Sequence, residues 1–300
     1  MGFLPGPVTV EVPATSANLG PGFDCLGLAL ELTDVLVAEI AEAGIEVVVE
    51  GEGADDVPLD ESHLVVRSMW AAFAVLGTTP PGLLLQCRNR IPHGRGMGSS
   101  SAAIVGGIVL ARALVTDGAE RMPDEAVLAL ANRIEGHADN VGPALVGGFV
   151  ICGQSGEDVW AVTAPLDPSI SGVVFVPPHG VLTEAARVLL PETVAHDLAA
   201  ANTGRAALLV RALEDRPDLL MRATEDYLHQ QHRGPVMPES LRLVEHLRGR
   251  GVPAVISGAG PGVLAFATSE DDQGRLPEAA PEGWRAIPQR LGGPGARVLM

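Results

Sequence analysis

The sequence predicts an α+β protein of two domains. The chain has 300 residues, and protein domains average about 150 residues. Strand-like and helix-like segments are interleaved in both halves, but they lack the regular strand–helix repeat of a parallel α/β fold. Turn-forming residues cluster at 153–156 and 165–168. We therefore expect an N-terminal domain of residues 1–165 and a C-terminal domain of residues 166–300.

The periodicity of apolar residues places the individual elements. Strands are predicted where apolar and polar residues alternate or where short apolar runs lie between turns: 8–12, 45–50, 83–88, 149–152, 172–176, 252–256 and 263–267. Helices are predicted where apolar residues recur with helical spacing: 65–76, 96–111, 124–135, 184–190, 206–214 and 238–248. The segment 269–294 is rich in Pro, Gly and Glu and gives little signal.

The balance of charged residues limits the classes of function. Lys plus Arg number 20 and Asp plus Glu number 37, which gives a formal net charge of −17. Such an acidic surface repels the phosphate backbone, so we expect no nucleic-acid partner. All the basic residues are arginines. A chain without lysine cannot form a lysine Schiff base, use a lysine general base or carry the lysine of a Walker loop.

The cysteines and the apolar segments indicate a cytoplasmic protein. Cys25, Cys87 and Cys152 have no metal-ligand spacing, and scattered cysteines of this kind are typical of reduced, buried thiols. The first residues have neither the basic segment nor the apolar run of a signal peptide. The longest apolar stretch, 96–111, is shorter than the about 20 residues that a membrane span needs. We expect neither secretion nor membrane insertion.

A glycine- and serine-rich segment opens the predicted apolar helix. Gly94, Gly96 and Gly98 alternate along it, and three serines follow directly. Glycine allows positive φ and close approach of the backbone, while the free N–H groups and the dipole of a helix start attract anions. The Walker lysine and the third glycine of the dinucleotide fingerprint are absent. The segment predicts a phosphate cradle, and the alternative is a flexible turn before a core helix.

This segment resembles the phosphate loop P-x-x-x-G-L-G-S-S-A of the kinase superfamily named for galactokinase, homoserine kinase, mevalonate kinase and phosphomevalonate kinase (GHMP), with Met97 in place of the usual leucine. Two further segments follow the order of that superfamily: 13–27 (PATSANLGPGFDCLG) and 257–262 (SGAGPG). Together the three segments span most of the chain. The first of them along the chain is most similar to the homoserine kinase branch.

The resemblance implies the fold and the reactants. The fold would be the two-domain α+β GHMP kinase fold, with an N-terminal domain like domain 2 of ribosomal protein S5 and a ferredoxin-like C-terminal domain. The reaction would transfer a phosphoryl group from ATP, with Mg²⁺, to L-homoserine and give O-phospho-L-homoserine for threonine biosynthesis. The nucleotide would contact the loop: Pro92, His93, Gly94, Arg95, Gly96, Met97, Gly98, Ser99, Ser100, Ser101 and Ala102.

Two polar residues near the start of the chain are candidates for substrate binding. Asn18 and Asp24 lie in a Gly/Pro-rich turn, where an amide and a carboxylate can face a cleft. The alternative is that both only cap local turns. By the resemblance, Asp24 would hold the substrate ammonium group and Asn18 would lie beside it. A carboxylate paired with a cation suits an amino-acid substrate.

The segment 135–143 (EGHADNVGP) resembles the family segment E-G-H-x-D-N-V-x-P. Glu135 would then be the Mg²⁺ ligand, and a cradle hydroxyl, Ser100 rather than Ser99, would be a second ligand, because hard cations bind oxygen. His137 and Asn140 would contact the substrate, and Asn140 would join Glu135 and Ser100 in the catalytic set. From the residues alone, a solvated Glu135 at a helix end and a neutral core His137 are the alternatives.

Two arginines of the second half are candidates for binding a carboxylate. Arg187 and Thr183 lie in a segment similar to the family pattern S-T-x-x-A-R, and Arg233 lies in a looser match to H-x-P-Y-R. Because guanidinium groups bind carboxylates bidentately, a converging pair would hold the α-carboxylate of an amino acid. The alternative for each arginine is a surface salt bridge.

Two other functions fit parts of this pattern. A GHMP kinase of an isoprenoid or a sugar alcohol would share the loop but would have no use for an aspartate with two arginines. A metabolite-binding relative without catalysis would not need Glu135 and Ser100.

No residue is placed as a general base, since positioning and charge neutralisation can suffice for phosphoryl transfer. By the resemblance, His63 would lie near the adenine, where relatives often have an asparagine, and a homodimer is the default assembly.

Overall fold

The computed structural model describes residues 2–299 and contains two β-sheets. The larger sheet consists of β1 Val8–Asn18, β2 Gly22–Ala41, β3 Gly44–Gly51, β4 Gly82–Asn89, β5 Phe149–Ser155, β6 Asp158–Ala164 and β11 Arg297–Leu299. The smaller sheet consists of β7 Ser171–Val176, β8 Ala254–Ile256, β9 Val263–Ala267 and β10 Arg285–Arg290. The strand pairs are antiparallel apart from β3 with β4.

Strand β2, which is 20 residues long, is the axis of the larger sheet. One edge of β2 pairs with β1. On its other edge, residues 26–28 pair with β5 and residues 35–41 pair with β4. The strand order is β11-β1-β2-β4-β3, and β6 joins through β5. A single strand therefore connects two arms of the sheet.

The last strand returns the chain to the first sheet. β11 pairs with the outer edge of β1, where Val298 lies opposite Val10. The order in the smaller sheet is β10-β7-β9-β8, so the chain changes sheets between Ala164 and Ser171 and again after Arg290. The domain boundary between residues 165 and 166 stays a prediction. Strand β11 follows this boundary in the sequence but pairs with the sheet of the N-terminal half.

The helices pack against both sheets and around the junction between them. They are α1 Leu64–Val75, α2 Ser99–Leu114, α3 Gly118–Arg121, α4 Asp124–Glu135, α5 Ala138–Val146, α6 Thr183–Arg187, α7 His196–Asp215, α8 Leu220–Ala223, α9 Pro238–Gly249 and α10 Glu270–Arg275. Single 3₁₀ turns occur at Pro217–Leu219, Gly234–Val236 and Leu276–Ala279. Among the helices, α2 and α5 have the most contacts with β1 and β2.

Two adjacent glycines let α2 lie unusually close to its neighbours. A Cβ atom at Gly106 would lie 2.5 Å from Leu36 Cδ1 on β2, and one at Gly107 would lie 2.6 Å from the carbonyl oxygen of Val65 on α1. Glycine normally weakens a helix interior by about 1 kcal/mol relative to alanine. Here the missing side chains allow α2 to be buried between β2 and α1, and this fixes the position of the helix start.

The predicted α+β class is confirmed, since helices and two largely antiparallel sheets alternate along the chain without a regular strand–helix repeat. The predicted strands and helices all occur, with ends shifted by a few residues. The largest shifts are at α7, which begins ten residues before the predicted start, and at β1, which ends six residues after the predicted end. Helix α2 begins at Ser99, after the glycine loop. The segment 269–294 contains α10 and β10. The strand β10 is held by pairing with β7 rather than by local periodicity.

The cysteines are free in the structure. Burial raises the pKa of the Cys25 thiol to about 11 and that of the Cys87 thiol to about 12. Burial also raises the pKa of Cys152. All three therefore stay as thiols at neutral pH. None of the helices within residues 2–299 combines the length and the apolar character needed to cross a membrane.

Candidate active site

The predicted substrate and catalytic residues converge in one cleft at the junction of the two sheets, which we call the polar cleft. Each of the nine residues lines it: Asn18, Asp24, Ser100, Glu135, His137, Asn140, Thr183, Arg187 and Arg233. They come from β1, β2, α2, α4, the α4–α5 connection, α5, α6 and the loop before α9. The glycines of the 94–98 loop and the 258–260 loop complete the lining.

The glycine loop adopts the conformation expected of an anion cradle. Gly94, Gly96 and Gly98 have φ angles of 63°, 71° and 68°, and α2 begins directly after them at Ser99. A Cβ atom at Gly96 would lie 2.1 Å from the carbonyl oxygen of Ser257. The late glycine segment therefore packs directly on the loop. Ser99 and Ser100, the first residues of α2, line the cleft, and the N–H groups of a first helical turn have no partner within the helix.

We expect a methyl group at Gly98 to be much more damaging than one at Gly94. The two glycines have nearly equal positive φ angles. A Cβ at Gly98 would lie 1.9 Å from Thr15 Oγ1, whereas the nearest atom to a Cβ at Gly94 is 3.9 Å away. Gly94→Ala should lower the free energy of unfolding by about 1 kcal/mol through strain alone. Gly98→Ala should lower it by about 3 kcal/mol or more.

Urea unfolding of the two single variants measures this difference. Thr15 is fully buried and donates its hydroxyl to Asn140 Oδ1 at 2.7 Å, so it cannot move aside freely. Equal losses of stability in the two variants would show that the loop adjusts at Gly98 and that the contact with Thr15 does not constrain it.

Glu135 is a partly buried carboxylate bound by two serine hydroxyls. The hydroxyls of Ser100 and Ser101 donate to Oε1 of Glu135 at 2.7 Å and 2.8 Å. The side chain of Glu135 is only 10% exposed, so it is not the solvated helix end that was the alternative. Both hydroxyls share one oxygen, which leaves Oε2 available. Ser101, which was predicted to contact the nucleotide, is fully buried, lines neither this cleft nor the neighbouring one, and binds Glu135 instead.

The oxygen donors of Glu135 and Ser100 fit a cation that takes most of its other ligands from water molecules and phosphate groups. Within residues 2–299 no group of three or more His, Cys, Asp or Glu residues is arranged to hold a metal by itself. Mg²⁺ typically takes one or two carboxylates and completes its octahedron with water and phosphate oxygens. Glu135 with the neighbouring Ser100 hydroxyl meets that requirement.

His137 lies between two carboxylates. Its Nδ1 is 2.5 Å from Asp139 Oδ1, and its Nε2 is 3.9 Å from Glu135 Oε1. Burial alone would lower the pKa of His137, but the hydrogen bond and charge of Asp139, with the charges of Glu135 and Asp24, raise it above the ordinary histidine value. The neighbouring carboxylates therefore favour the protonated imidazole over the neutral form of an isolated core histidine.

Asn18 and Asp24 occupy strained backbone on either side of the β1–β2 turn. Their φ angles are 66° and 55°, in a region that costs a non-glycine residue of order 1 kcal/mol or more. Asn18 Oδ1 accepts the N–H of Asp24 at 2.9 Å, and Asn18 Nδ2 donates to the carbonyl oxygen of Gly258 at 2.8 Å. Asn18 thus caps the local turn, as the alternative held, and also joins it to the late glycine segment.

Asp24 forms a bidentate ion pair with Arg187. The two terminal nitrogens of Arg187 each donate to one carboxylate oxygen of Asp24 at 2.9 Å. The hydrogen bond to Asp24 raises the pKa of Arg187. The guanidinium carbons of Arg187 and Arg233 each lie 5.6 Å from the centroid of the Phe23 ring. Phe23 therefore holds both arginines near Asp24, a contact that the sequence motifs did not indicate.

A second cleft, which we call the apolar cleft, lies on the other side of the α2 start. It shares Ser99 and Ser100 with the polar cleft. Its other lining residues are mostly apolar: Val12, Asp34, Leu36, Val57, Pro58, Ser62, His63, Leu64, Val65, Asn89, His93, Ala102 and Ala103. Two of them, His93 and Ala102, belong to the predicted nucleotide-binding loop. Burial and the nearby His93 lower the pKa of His63, which is therefore neutral.

Asp34 is a buried carboxyl group in the apolar cleft that the sequence analysis did not identify. Its Oδ1 accepts the backbone N–H groups of Arg90 and Ile91 at 2.6 Å and 2.9 Å. Burial nevertheless raises its pKa to about 6. Between the ordinary value and pH 6 the folded chain keeps a proton that the unfolded chain releases. The contribution of this carboxyl to stability therefore falls as the pH rises through that window.

We expect Asp34→Asn to stabilise the ligand-free protein above pH 6. The amide oxygen can still accept both backbone N–H groups, and the buried charge is removed. The free energy of unfolding at pH 7.5 should rise by up to about 3 kcal/mol, because each pKa unit corresponds to about 1.4 kcal/mol. Urea unfolding of variant and parent at pH 4 and 7.5 gives the comparison. If the difference in the free energy of unfolding between variant and parent does not grow with pH, Asp34 is charged in the folded chain at little energetic cost.

Two predicted nucleotide contacts have side chains that face away from both clefts. Met97 is fully buried in the core. The guanidinium of Arg95 donates to the carbonyl oxygens of His93, Pro177 and Pro178 and so fastens the loop to the second half. Only the backbone of these two residues is therefore suited to a role in the cradle. Pro92 is buried and lines neither cleft.

Comparisons with protein families match both halves of the chain. Residues 63–148 match the model of the GHMP kinases N terminal domain, and residues 205–286 match the model of the GHMP kinases C terminal domain. The chain is 54% identical over 297 residues to a homoserine kinase of Streptomyces avermitilis, which covers 99% of this chain and 97% of that protein. It is 50% identical over 269 residues to a homoserine kinase of Mycobacterium sp., covering 88% and 85%.

Solved structures resemble the chain over its full length. The crystal structure of homoserine kinase from Cytophaga hutchinsonii matches with a TM-score of 0.87 and 26% identity, over 100% of this chain and 99% of that one. A putative homoserine kinase from Listeria monocytogenes matches with a TM-score of 0.78 and 28% identity, over 98% and 99%. A mevalonate diphosphate decarboxylase from Staphylococcus aureus, 12% identical over 98% of each chain with a TM-score of 0.70, shares the fold.

Proposed function

The chain belongs to the GHMP kinases and, within them, to the homoserine kinases, and from this premise we propose how its two clefts hold L-homoserine and ATP. The enzyme transfers the γ-phosphoryl group of ATP to the side-chain hydroxyl of L-homoserine and gives O-phospho-L-homoserine for threonine biosynthesis. The polar cleft holds the amino acid, and the apolar cleft holds the base of the nucleotide.

The observation that carries this assignment is the convergence of opposite charges beside the glycine loop. Asp24, Arg187 and Arg233 line the same cleft as the loop. A zwitterion needs a carboxylate for its ammonium group and cations for its carboxylate, and an uncharged alcohol needs neither. L-homoserine would place its ammonium group on Asp24 and its carboxylate on the two arginines. Its hydroxyl would then point toward the loop.

Substrate binding exchanges one ion pair for two. In the ligand-free chain Asp24 and Arg187 neutralise each other, and both side chains keep access to solvent, with 33% and 42% exposed. An incoming zwitterion offers each of them a new partner of the correct charge. No charge is left unpaired during the exchange, so the desolvation cost of opening the pair is offset as the substrate enters.

The nucleotide spans the start of α2. Its base would lie among the apolar residues of the apolar cleft, where Asp34 and the neutral His63 are the nearby polar groups. Its phosphates would reach the N–H groups of Ser99 and Ser100, which belong to both clefts. Glu135 and Ser100 would hold Mg²⁺, which neutralises charge on the phosphates when it is bound.

The residues act mainly by positioning and by charge. The hydroxyl oxygen of homoserine forms a bond to the γ-phosphorus, the bond to the β–γ bridging oxygen breaks, and ADP leaves. The hydroxyl proton passes to a phosphoryl oxygen or to solvent, because the cleft carboxylates of Asp24, Glu135 and Asp139 already have partners. The transition state is loose, so early deprotonation is not required. His137 and the helix start supply positive charge around the transferring group.

Measurement of ADP release with a set of acceptors tests this function. With L-homoserine the purified enzyme should release ADP and form a phosphomonoester detectable by ³¹P NMR. Mevalonate, galactose and a reaction without acceptor should give background rates. Equal turnover of mevalonate or galactose would favour the isoprenoid or sugar-alcohol alternative. ATP binding without turnover of any acceptor would favour a binding protein.

The cellular setting and assembly are part of the proposal. We place the enzyme in the cytoplasm, which is consistent with its three free thiols. A homodimer is the proposed assembly, and light scattering of the purified protein measures its mass directly.

A further inference from the structure

Arg233 is held from one end of its guanidinium group. The residue is 1% exposed, and its Nη1 donates to the carbonyl oxygen of Gly258 at 3.1 Å and lies 3.1 Å from Nδ1 of His229. Among residues 2–299 its Nε has no hydrogen-bond partner, although the atom is buried. Nη1 is therefore engaged, while Nε, which with Nη2 forms a fork that fits a carboxylate, has no partner within the described part of the chain.

The contacts of His229 determine which of its ring nitrogens carries the proton. Nε2 lies 2.8 Å from the carbonyl oxygen of Gly20, which can only accept a hydrogen bond. Nε2 therefore carries the proton, and Nδ1 presents a lone pair to Nη1 of Arg233. Burial lowers the pKa of His229 despite the neighbouring Asp226, so the ring stays neutral. The ring also stacks obliquely on Phe23 at 5.3 Å between centroids.

These contacts form a chain from the backbone to the arginine. The carbonyl of Gly20, in the β1–β2 turn beside Asp24, fixes the ring of His229, and the ring fixes Nη1 of Arg233. Without Nδ1, Nη1 would keep only the carbonyl oxygen of Gly258 as a partner, and the guanidinium would be free to turn about that single hydrogen bond. Its carboxylate-binding edge would turn with it.

We propose that His229 is a positioning residue that orients Arg233 and thereby sets the preference for acceptors with an α-carboxylate. This inference rests on the proposed function, in which Arg233 binds that carboxylate. His229 does not contact the substrate itself. Its effect is specific, because misorienting Arg233 weakens binding of the carboxylate and leaves the ammonium and hydroxyl groups of the acceptor unaffected.

Two amide substitutions separate the two hydrogen bonds of His229. The amide of Asn lies near the position of Nδ1, so His229→Asn can keep the acceptor for Arg233. The amide of Gln lies near the position of Nε2, so His229→Gln keeps the donor to Gly20 and loses the acceptor. His232→Gln, at an exposed histidine of the same segment, is the matched control.

The measurement is the ratio of kcat/KM for L-homoserine to that for 3-aminopropan-1-ol, which has the same ammonium and hydroxyl groups but no carboxylate. His229→Gln should lower this ratio about tenfold or more, mostly through the KM for L-homoserine. His229→Asn should stay within about threefold of the parent, as should His232→Gln. The KM for ATP should not change. If turnover of the amino alcohol is too slow, its inhibition constant against L-homoserine gives the same comparison.

The positioning role would be overturned if His229→Gln had the same ratio as the parent, or if it lost the same factor of kcat/KM for both acceptors. Arg233→Gln distinguishes this failure from failure of the proposed function. If Arg233→Gln collapses the ratio and His229→Gln does not, only the present inference is wrong. If Arg233→Gln leaves the ratio unchanged, Arg233 does not bind the carboxylate. The ¹⁵N shifts of His229 in the parent give a test that needs no variant, since protonated Nδ1 would also overturn the inference.

Discussion

Replacing Glu135 by Gln is expected to lower kcat by about three powers of ten while the KM for L-homoserine changes only a few-fold. The amide oxygen can still accept the hydroxyls of Ser100 and Ser101 that bind Oε1 of Glu135, so the local packing is kept. The charge that would hold Mg²⁺ against the phosphates is lost. Interactions that act on charge developing in the transition state appear in kcat rather than in KM.

Steady-state kinetics over a range of Mg²⁺ concentrations provides the measurement. Near-parental kcat at saturating Mg²⁺ would remove Glu135 from the proposed metal site. The single variants Ser100→Ala and Ser101→Ala show which hydroxyl is the second ligand, and the larger loss of kcat should occur at Ser100. Glu157→Gln, at an exposed carboxyl outside both clefts, is the charge-matched control.

Asp24→Asn and Arg187→Ala are each expected to lower kcat/KM for L-homoserine at least about a hundredfold. Loss of one partner of a desolvated charge pair costs about 2–5 kcal/mol, and about 1.4 kcal/mol corresponds to a factor of ten. The KM for ATP should change little. A neutral acceptor with the same primary hydroxyl, 1,3-propanediol, should be very poor with the parent enzyme.

The double variant distinguishes substrate binding from a structural salt bridge. If Asp24 and Arg187 bind opposite ends of the substrate, the double variant should lose more kcat/KM than either single variant, with a total below the sum of the two losses because the residues also contact each other. If the pair only stabilises the chain, removal of both partners should cost no more than the worse single variant. Arg205→Ala removes a comparable pair, since Arg205 binds Glu225 at 2.7 Å and lies 5.9 Å from the Tyr227 ring. This control should keep parental kcat/KM.

The parts of the site that the sequence predicted are those encoded by local patterns. The glycine loop and the helix that follows it could be predicted because Gly94, Gly96 and Gly98 have a local conformational reason to occur there. The helix ending at Glu135 is marked by the positive φ of Gly136. The polar residues of the family motifs could be identified because each motif is a short contiguous segment, whereas their meeting in one cleft depends on the fold.

Features that depend on distant contacts were not predictable. Strand β2 begins inside what reads as a Gly/Pro-rich turn, and pairing with β1 along its length extends it to Gly22. The pair of Asp24 with Arg187 joins residues 163 positions apart. Nothing in the sequence distinguishes Asp34 from the other acidic residues, because its burial results from the fold. His229 gains its role only where the β1–β2 turn meets the segment before α9.

The return of β11 to the first sheet affects how the chain can fold during its synthesis. Arg297 on β11 binds Glu11 on β1 across 286 positions of sequence, and Ser16 contacts Ser257 across 241 positions. A ribosome must therefore deliver nearly the whole chain before the edge of β1 is covered and the polar cleft can close. Contacts this distant slow folding and expose an unpaired strand edge in the meantime. Nascent chains released early should be inactive and prone to aggregate through β1.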